Sequence, residues 1–193
     1  MTAAPPRTNL LTYEEYLAEG EVNRRYDILN GVRFFMTNPT RKHQRIQRRL
    51  VLLMAPFEDQ ESKGQTLTAP CDVLITRQPL RTRQPDVLFI SKERLAKNGP
   101  DDDPSPLAPA PELVIEILSP SDSVGVLAGK LADYQKVDVK ECWIVQPEQK
   151  TVEQIALSRD NIDTVHILTV GETLKSLEFP GLRILVADIF ADR

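Results

Sequence analysis

Residues 113–118 read Leu113-Val114-Ile115-Glu116-Ile117-Leu118, an aliphatic run with one carboxylate inside it. Such a run reads as a β-strand that leaves water. A carboxylate carried with it costs several kcal/mol unless it is protonated, paired or bound to a cation. Side chains alternate along a strand, so Val114, Glu116 and Leu118 share one face while Leu113, Ile115 and Ile117 take the other. Whatever this chain folds into must therefore seat a lone acid on an apolar face.

Two more strand-like runs carry an acid of the same kind. Asp86 opens the stretch Pro85–Ile90 and shares a face with Leu88 and Ile90, and Asp72 interrupts Ala69–Ile75. If the three strands are neighbours, their carboxylates converge, and converging carboxylates must be protonated, salt-bridged or wrapped around a cation. Hard oxygen ligands with positions left for water suit Mg²⁺ or Mn²⁺. A structural reading stands beside this one: each acid sits at a sheet edge or pairs with an arginine. Composition alone leaves both open.

The remaining pattern frames one domain. The 193 residues suffice to bury roughly two-thirds of the unfolded surface. A disordered leader is expected over residues 1–9, with a single domain over residues 10–193. Thr12 and Glu15 form a capping-box pattern ahead of a helix at Tyr13–Glu19. Asn30-Gly31 marks a hairpin within residues 26–36. From about Thr40 to Glu61 the period is helical, with Ile46, Leu50, Leu53, Met54 and Phe57 on one face, and Pro56 is expected to kink or shorten this helix. Residues 97–112, rich in proline and acid, read as an exposed loop. Then come a helix at Val124–Lys136, a strand at Glu141–Gln146, a hairpin from Thr151–Leu157 and Thr164–Val170, and a short helix near Ala187–Phe190. The order predicts an α/β (α+β) fold around a mixed sheet, with hairpins at both ends.

Charge is uneven: the net value is −4, yet Arg41, Lys42, Arg45, Arg48 and Arg49 crowd nine positions of the long helix. Such a cluster suits a nucleic-acid backbone, or is a solvated helix face. No run approaches the ~18 apolar residues of a membrane span, and the N-terminal residues lack an export signal, so a cytoplasmic protein without membrane contact is expected. Cys71 and Cys142 lack metal-ligand spacing and read as buried thiols. A two-carboxylate glycosidase is a poor match for a chain with one tryptophan.

Several ordered motifs resemble the Uma2 family of restriction endonucleases. They are Arg25-Tyr26-Asp27-Ile28 with Gly31, His43-Gln44, Gln84-Pro85-Asp86-Val87, Glu116-Ile117-Leu118-Ser119-Pro120-Ser121, Lys130-Leu131 with Tyr134, and Glu141 with Trp143-Ile144-Val145. The likeness runs from the Thr12 region to Pro180-Gly181-Leu182. This family is similar to the PD-(D/E)xK nucleases, which implies a restriction-endonuclease-like core of αβββαβ order. It further implies metal binding by Asp86, Glu116 and the backbone carbonyl of Ile117.

The chain departs from that pattern at Leu118, where a lysine is expected. Lys130 from the following helix is the candidate substitute for that positive charge. His43 is a candidate for contacting phosphate or moving a proton, and Asp27 and Tyr134 are candidates for supporting the site. Trp143 reads as core. Asp27 stands where relatives commonly carry glutamate, and Val32 where they often carry an acid. The resulting expectation is a Mg²⁺- or Mn²⁺-dependent DNA endonuclease, with Asp72 as a further ligand and a homodimer cutting the duplex. The alternative is a catalytically silent DNA-binding or assembly module that keeps the fold.

Overall fold

A six-stranded mixed sheet organises the protein in the computed structural model, which describes residues 10–20, 22, 24–61, 63–119 and 123–191. The leader expected over residues 1–9 lies outside the described residues. The chain begins with α1 (Tyr13–Glu19), a hairpin of β1 (Tyr26–Leu29) and β2 (Val32–Phe35), and the long α2 (Arg41–Glu61). Next come β3 (Gly64–Thr68), a second hairpin of β4 (Val73–Arg77) and β5 (Leu80–Arg83), β6 (Val87–Ser91), α3 (Lys92–Leu95) and β7 (Leu113–Ile117). Helix α4 (Val124–Lys136) leads to β8 (Glu141–Gln146), followed by the hairpin β9 (Thr151–Leu157) and β10 (Ile162–Leu168). The last elements are β11 (Thr173–Lys175), β12 (Arg183–Leu185) and α5 (Val186–Ile189).

The central sheet has the order β10-β9-β8-β7-β6-β3. Strands β7 and β8 run parallel because α4 crosses between them, while β3, β6 and β7 pair antiparallel. Elements α2-β3-β6-β7-α4-β8 thus form the expected αβββαβ core, interrupted by the β4-β5 hairpin. Local signals act as read. Thr12 and Glu15 close a reciprocal capping box, and Asn30 and Gly31 form a two-residue turn with φ of 52° and 76°.

Two expectations need correction. Residues 69–72 are not strand, and β4 belongs to a separate four-stranded sheet of order β2-β1-β5-β4, so it does not flank β6 or β7. The neighbour of β6 is instead β3, whose Gly64 is required because a Cβ there would lie 2.1 Å from the Ile90 carbonyl oxygen. Both expected hairpins are present and join sheets: β9-β10 extends the central sheet and β1-β2 extends the second. Finally, α2 runs through Pro56 to Glu61. Met54 and Phe57 flank the proline and stay buried, and that packing offsets the missing backbone bond.

The sheet separates two cores by strand alternation. Val87, Phe89, Leu113, Ile115 and Ile117 pack against the Ile46-Leu50-Met54-Phe57 stripe of α2 and against α5. Leu88, Ile90, Val114 and Ile144 face Tyr134 of α4 and Val73 and Ile75 of β4. Glu116, between Ile115 and Ile117, points to the α4 side. Trp143 is core, as read.

One buried acid shows what a purely structural carboxylate looks like here. Glu141, fully buried, accepts from Trp143 Nε1 (2.6 Å), Gln154 Nε2 (2.7 Å) and Ser176 Oγ (2.6 Å), and from the backbone N–H groups of Leu177 (3.0 Å) and Glu178 (3.2 Å). Deleting a buried acceptor strands its donors, at about 1–3 kcal/mol each. Glu141→Ala is expected to lower the unfolding free energy by about 3 kcal/mol or more in urea denaturation, and an unchanged midpoint would show that those donors find other partners.

Candidate active site

The register of β6 on β7 decides where the two diagnostic acids meet. Val87 pairs with Ile115 and Leu88 with Val114, so one further step sets Asp86 opposite Glu116. Directly opposed residues carry Cβ atoms about 4.5–5.5 Å apart. Both residues are 3% exposed and line one cavity of about 440 Å³.

Each carboxylate is held by a distinct set of donors. Asp86 Oδ1 accepts from Arg25 Nη1 at 2.7 Å, and Oδ2 accepts from the Ile117 backbone N–H at 2.7 Å and lies 3.3 Å from His43 Nε2. The Asp86 carbonyl takes a bond from Gln47 Nε2 at 2.8 Å, which fixes the start of β6 against α2. Glu116 Oε2 accepts from Lys130 Nζ at 2.7 Å, and Oε1 accepts a short bond from the Tyr134 hydroxyl. Lys130 and Tyr134 stand four residues apart on α4 and so present one face to β7.

These surroundings split the two acids. Burial opposes ionisation of Asp86, but His43, Arg25 and the Ile117 N–H outweigh it and hold the carboxyl below its ordinary range. At Glu116 burial dominates, Asp86 adds repulsion, and the carboxyl is raised although Lys130 and Tyr134 oppose the shift. Burial would lower Lys130, yet Glu116, Asp27 and Asp86 together raise it, so the ammonium stays charged. Two close acids with opposite shifts are what a pair that cannot comfortably hold two charges displays.

Other candidates fall around or outside this centre. Asp27 accepts from Arg83 Nη1 at 2.7 Å and from the Gln84 N–H at 3.1 Å, and Arg83 also binds Asp133 at 2.8 Å. Asp27 is therefore a support, tying β1 to β5 and, through Arg83, to α4. Asp72 is a correction. It accepts from the Tyr16 hydroxyl (2.7 Å) and the Tyr26 hydroxyl (3.3 Å) and lines a second cavity with Cys71 and Leu107, because it leads into β4, which belongs to the other sheet. It does not join Asp86 and Glu116. Ile117 lines the cavity, but the contact its backbone makes with Asp86 is through N–H.

The basic cluster divides by helix geometry. Arg41, Arg45 and Arg48 are exposed and lie opposite Leu50 and Met54 on α2. Lys42 lines the cavity and pairs with Glu148 at 2.8 Å, whereas Arg49 donates to the Asp188 carbonyl and ties α2 to α5. Reading the sequence by motif did not assign roles to Arg25, Gln47, Arg83 or Asp133. Arg25 was legible only as part of a motif, since nothing local shows that its side chain crosses to Asp86.

Comparison with known proteins gives the family and the fold. The family described as "Putative restriction endonuclease", Uma2, matches residues 12–187. The chain belongs to the Uma2 family. A crystal structure described as a "putative nuclease" from Anabaena variabilis superposes with a TM-score of 0.74 at 17% identity, covering 93% of this chain and 97% of that one. At that identity the likeness shows a shared fold. No curated protein matches the chain.

Enzymes of this fold family use divalent metals, and the donor set can be tested against one. Among the described residues no cluster of three or more His, Cys, Asp or Glu forms a ready cage. Mg²⁺ needs no such cage, since it keeps several waters and takes one or two carboxylates. Asp86 and Glu116, opposed across two strands at a cavity wall, fit that requirement.

The raised Glu116 also has a consequence for stability. A carboxyl whose folded pKa exceeds its unfolded value favours folding below the unfolded pKa, and that contribution is lost as pH rises through the folded one. Removing Lys130 removes the charge that restrains this shift. Lys130→Met is expected to destabilise by about 3 kcal/mol near pH 8, and distinctly less near pH 4, by urea denaturation at both values. Equal losses would mean that Glu116 stays protonated throughout.

Proposed function

We propose that the protein is a Mg²⁺- or Mn²⁺-dependent endonuclease that hydrolyses phosphodiester bonds in DNA. The observation that supports it is the opposed pair Asp86 and Glu116 at the wall of a cavity also lined by Arg25, Lys42 and Lys130. Asp86 and Glu116, with the Ile117 carbonyl, would hold the ion. A bound divalent ion supplies a more acidic water and neutralises charge on the phosphate. The residues of the chain do the rest. Lys130, from α4, stands where the lysine absent at position 118 would act, and its ammonium orients the attacking water or meets the phosphate. Tyr134 fixes the second oxygen of Glu116, and His43 contacts phosphate or relays a proton beside Asp86.

Arg41, Arg45 and Arg48 would grip the duplex backbone without reading sequence. Cleavage of both strands calls for two sites, so the reading includes a homodimer, acting in the cytoplasm. The family's description as restriction endonucleases and the related structure's description as a nuclease support the reaction class. No described helix is long and apolar enough to cross a membrane.

The test is nicking of a supercoiled plasmid with Mg²⁺ or Mn²⁺. Asp86→Ala and Glu116→Ala should each reduce nicking by at least about a hundredfold, and undiminished cleavage by Asp86→Ala would assign the activity to a contaminant. One observation favours a silent DNA-binding module: both acids are already neutralised, by Arg25 and Lys130. For such a module Mn²⁺ titration calorimetry shows no binding that depends on Glu116. Replacing Arg41, Arg45 and Arg48 together with glutamine should weaken duplex binding equally for all sequences and lower its salt slope by about 3. An unaltered slope in filter binding would place the duplex elsewhere.

A further inference from the structure

Arg25 is the cation whose role the proposed reaction leaves unexplained. It precedes β1 on the second sheet, yet its guanidinium reaches the wall of the central one, bonding Asp86 Oδ1 at 2.7 Å and the Gln84 carbonyl at 3.1 Å. The other donors to Asp86 are fixed by the framework, the Ile117 N–H by β7 and His43 by α2. Arg25 alone among the three reaches Asp86 on a long, partly exposed side chain, 19% exposed. A divalent ion on the same carboxylate would sit within a few ångströms of that guanidinium, and like charges so close repel strongly.

The charge balance of the cavity points the same way. Beside His43, its lining carries three Arg and Lys side chains (Arg25, Lys42, Lys130) against three carboxyl groups (Asp86, Glu116, Glu148). These basic and acidic groups balance in number, so the side chains by themselves give the cavity little electrostatic preference for an anion. A divalent ion adds an excess of two positive charges, which suits a phosphodiester. A guanidinium released from a carboxylate is the side chain best shaped to take phosphate oxygens in pairs.

We infer that Arg25 is the resident counter-ion of the metal seat, displaced from Asp86 when a divalent cation binds and turned to a backbone phosphate of the nucleic acid. The inference rests on the metal-dependent reading above and adds an order to it: the ion enters first, and its arrival creates the phosphate clamp. Ion and nucleic acid then bind with positive coupling.

Titration calorimetry of the full chain with Mn²⁺ alone tests the first half. Arg25→Gln, which removes the competitor, should bind Mn²⁺ about tenfold more tightly than the wild type. Arg25→Lys keeps a cation in place and should stay within about threefold. Lys42→Gln removes one positive charge from the same cavity without touching Asp86 and should change the affinity less than about twofold. Anisotropy with a short labelled duplex and Ca²⁺ tests the second half: the ion should raise wild-type affinity about tenfold and that of Arg25→Gln less than about threefold.

Arg25→Gln binding Mn²⁺ no more tightly than the wild type overturns the inference while leaving the metal seat standing. An equal gain in Lys42→Gln overturns it too, since the effect would then be general electrostatics. Duplex affinity that responds to Ca²⁺ equally in wild type and Arg25→Gln removes the clamp. Absence of Mn²⁺ binding in every variant removes the metal reading itself, and this inference with it.

Discussion

The antiparallel register of β6 against β7 is the constraint on which the site depends. Pairing Val87 with Ile115 fixes Asp86 opposite Glu116 and sets both carboxylates on one cavity, lined by the start of α2 and by α4. A slip of one residue would move Glu116 to the opposite face, into the apolar layer of Phe57, Phe89 and Trp143 and away from Lys130 and Tyr134. Burial of the aliphatic neighbours on both faces makes such a slip prohibitive. Hydrophobic packing thereby holds two charges together that would otherwise separate.

Holding them together requires the second sheet and α4. Lys130 and Tyr134 answer Glu116 from α4, while Arg25, from the chain entering β1, answers Asp86. Arg83 joins these supports, binding Asp27 on β1 and Asp133 on α4. Asp133 also takes Arg81 at 2.7 Å, so α4 is clamped to β5 by two guanidinium groups. A buried network of this kind gains little stability in net terms, since desolvation consumes most of the attraction. What it supplies is position: α4, the helix that presents Lys130, is tied to β5 and, through Arg83, to β1.

Comparison among the buried acids separates scaffold from site. Glu141 is surrounded by five donors within the fold, and Glu112 is taken by the backbone and hydroxyl of Ser91 and by Arg94. Neither lines the cavity of Asp86 and Glu116. The latter two line open volume and are met there by the side chains of Arg25, His43 and Lys130. Burial alone does not distinguish these carboxylates; the cavity that Asp86 and Glu116 share does.

The sequence by itself determined the elements and the two acids that matter. Hydrophobic period, the Thr12 capping pattern and the Asn30-Gly31 turn located α1, α2, α4, β8 and both hairpins because those signals act between residues near in the chain. Apolar runs interrupted at Asp86 and Glu116 carried their own anomaly, legible without coordinates. Only the tertiary structure decided which strands are neighbours. It seated polar β3 beside β6, assigned β4 to another sheet, and so took Asp72 away from the site and gave it to Tyr16 and Tyr26. It also brought Arg25 to Asp86 and Arg83 to Asp133, pairs whose members lie far apart in the chain. The reason is physical: a strand's own residues fix which face each side chain takes, but its partner is selected by the packing of the whole core, which no local pattern encodes.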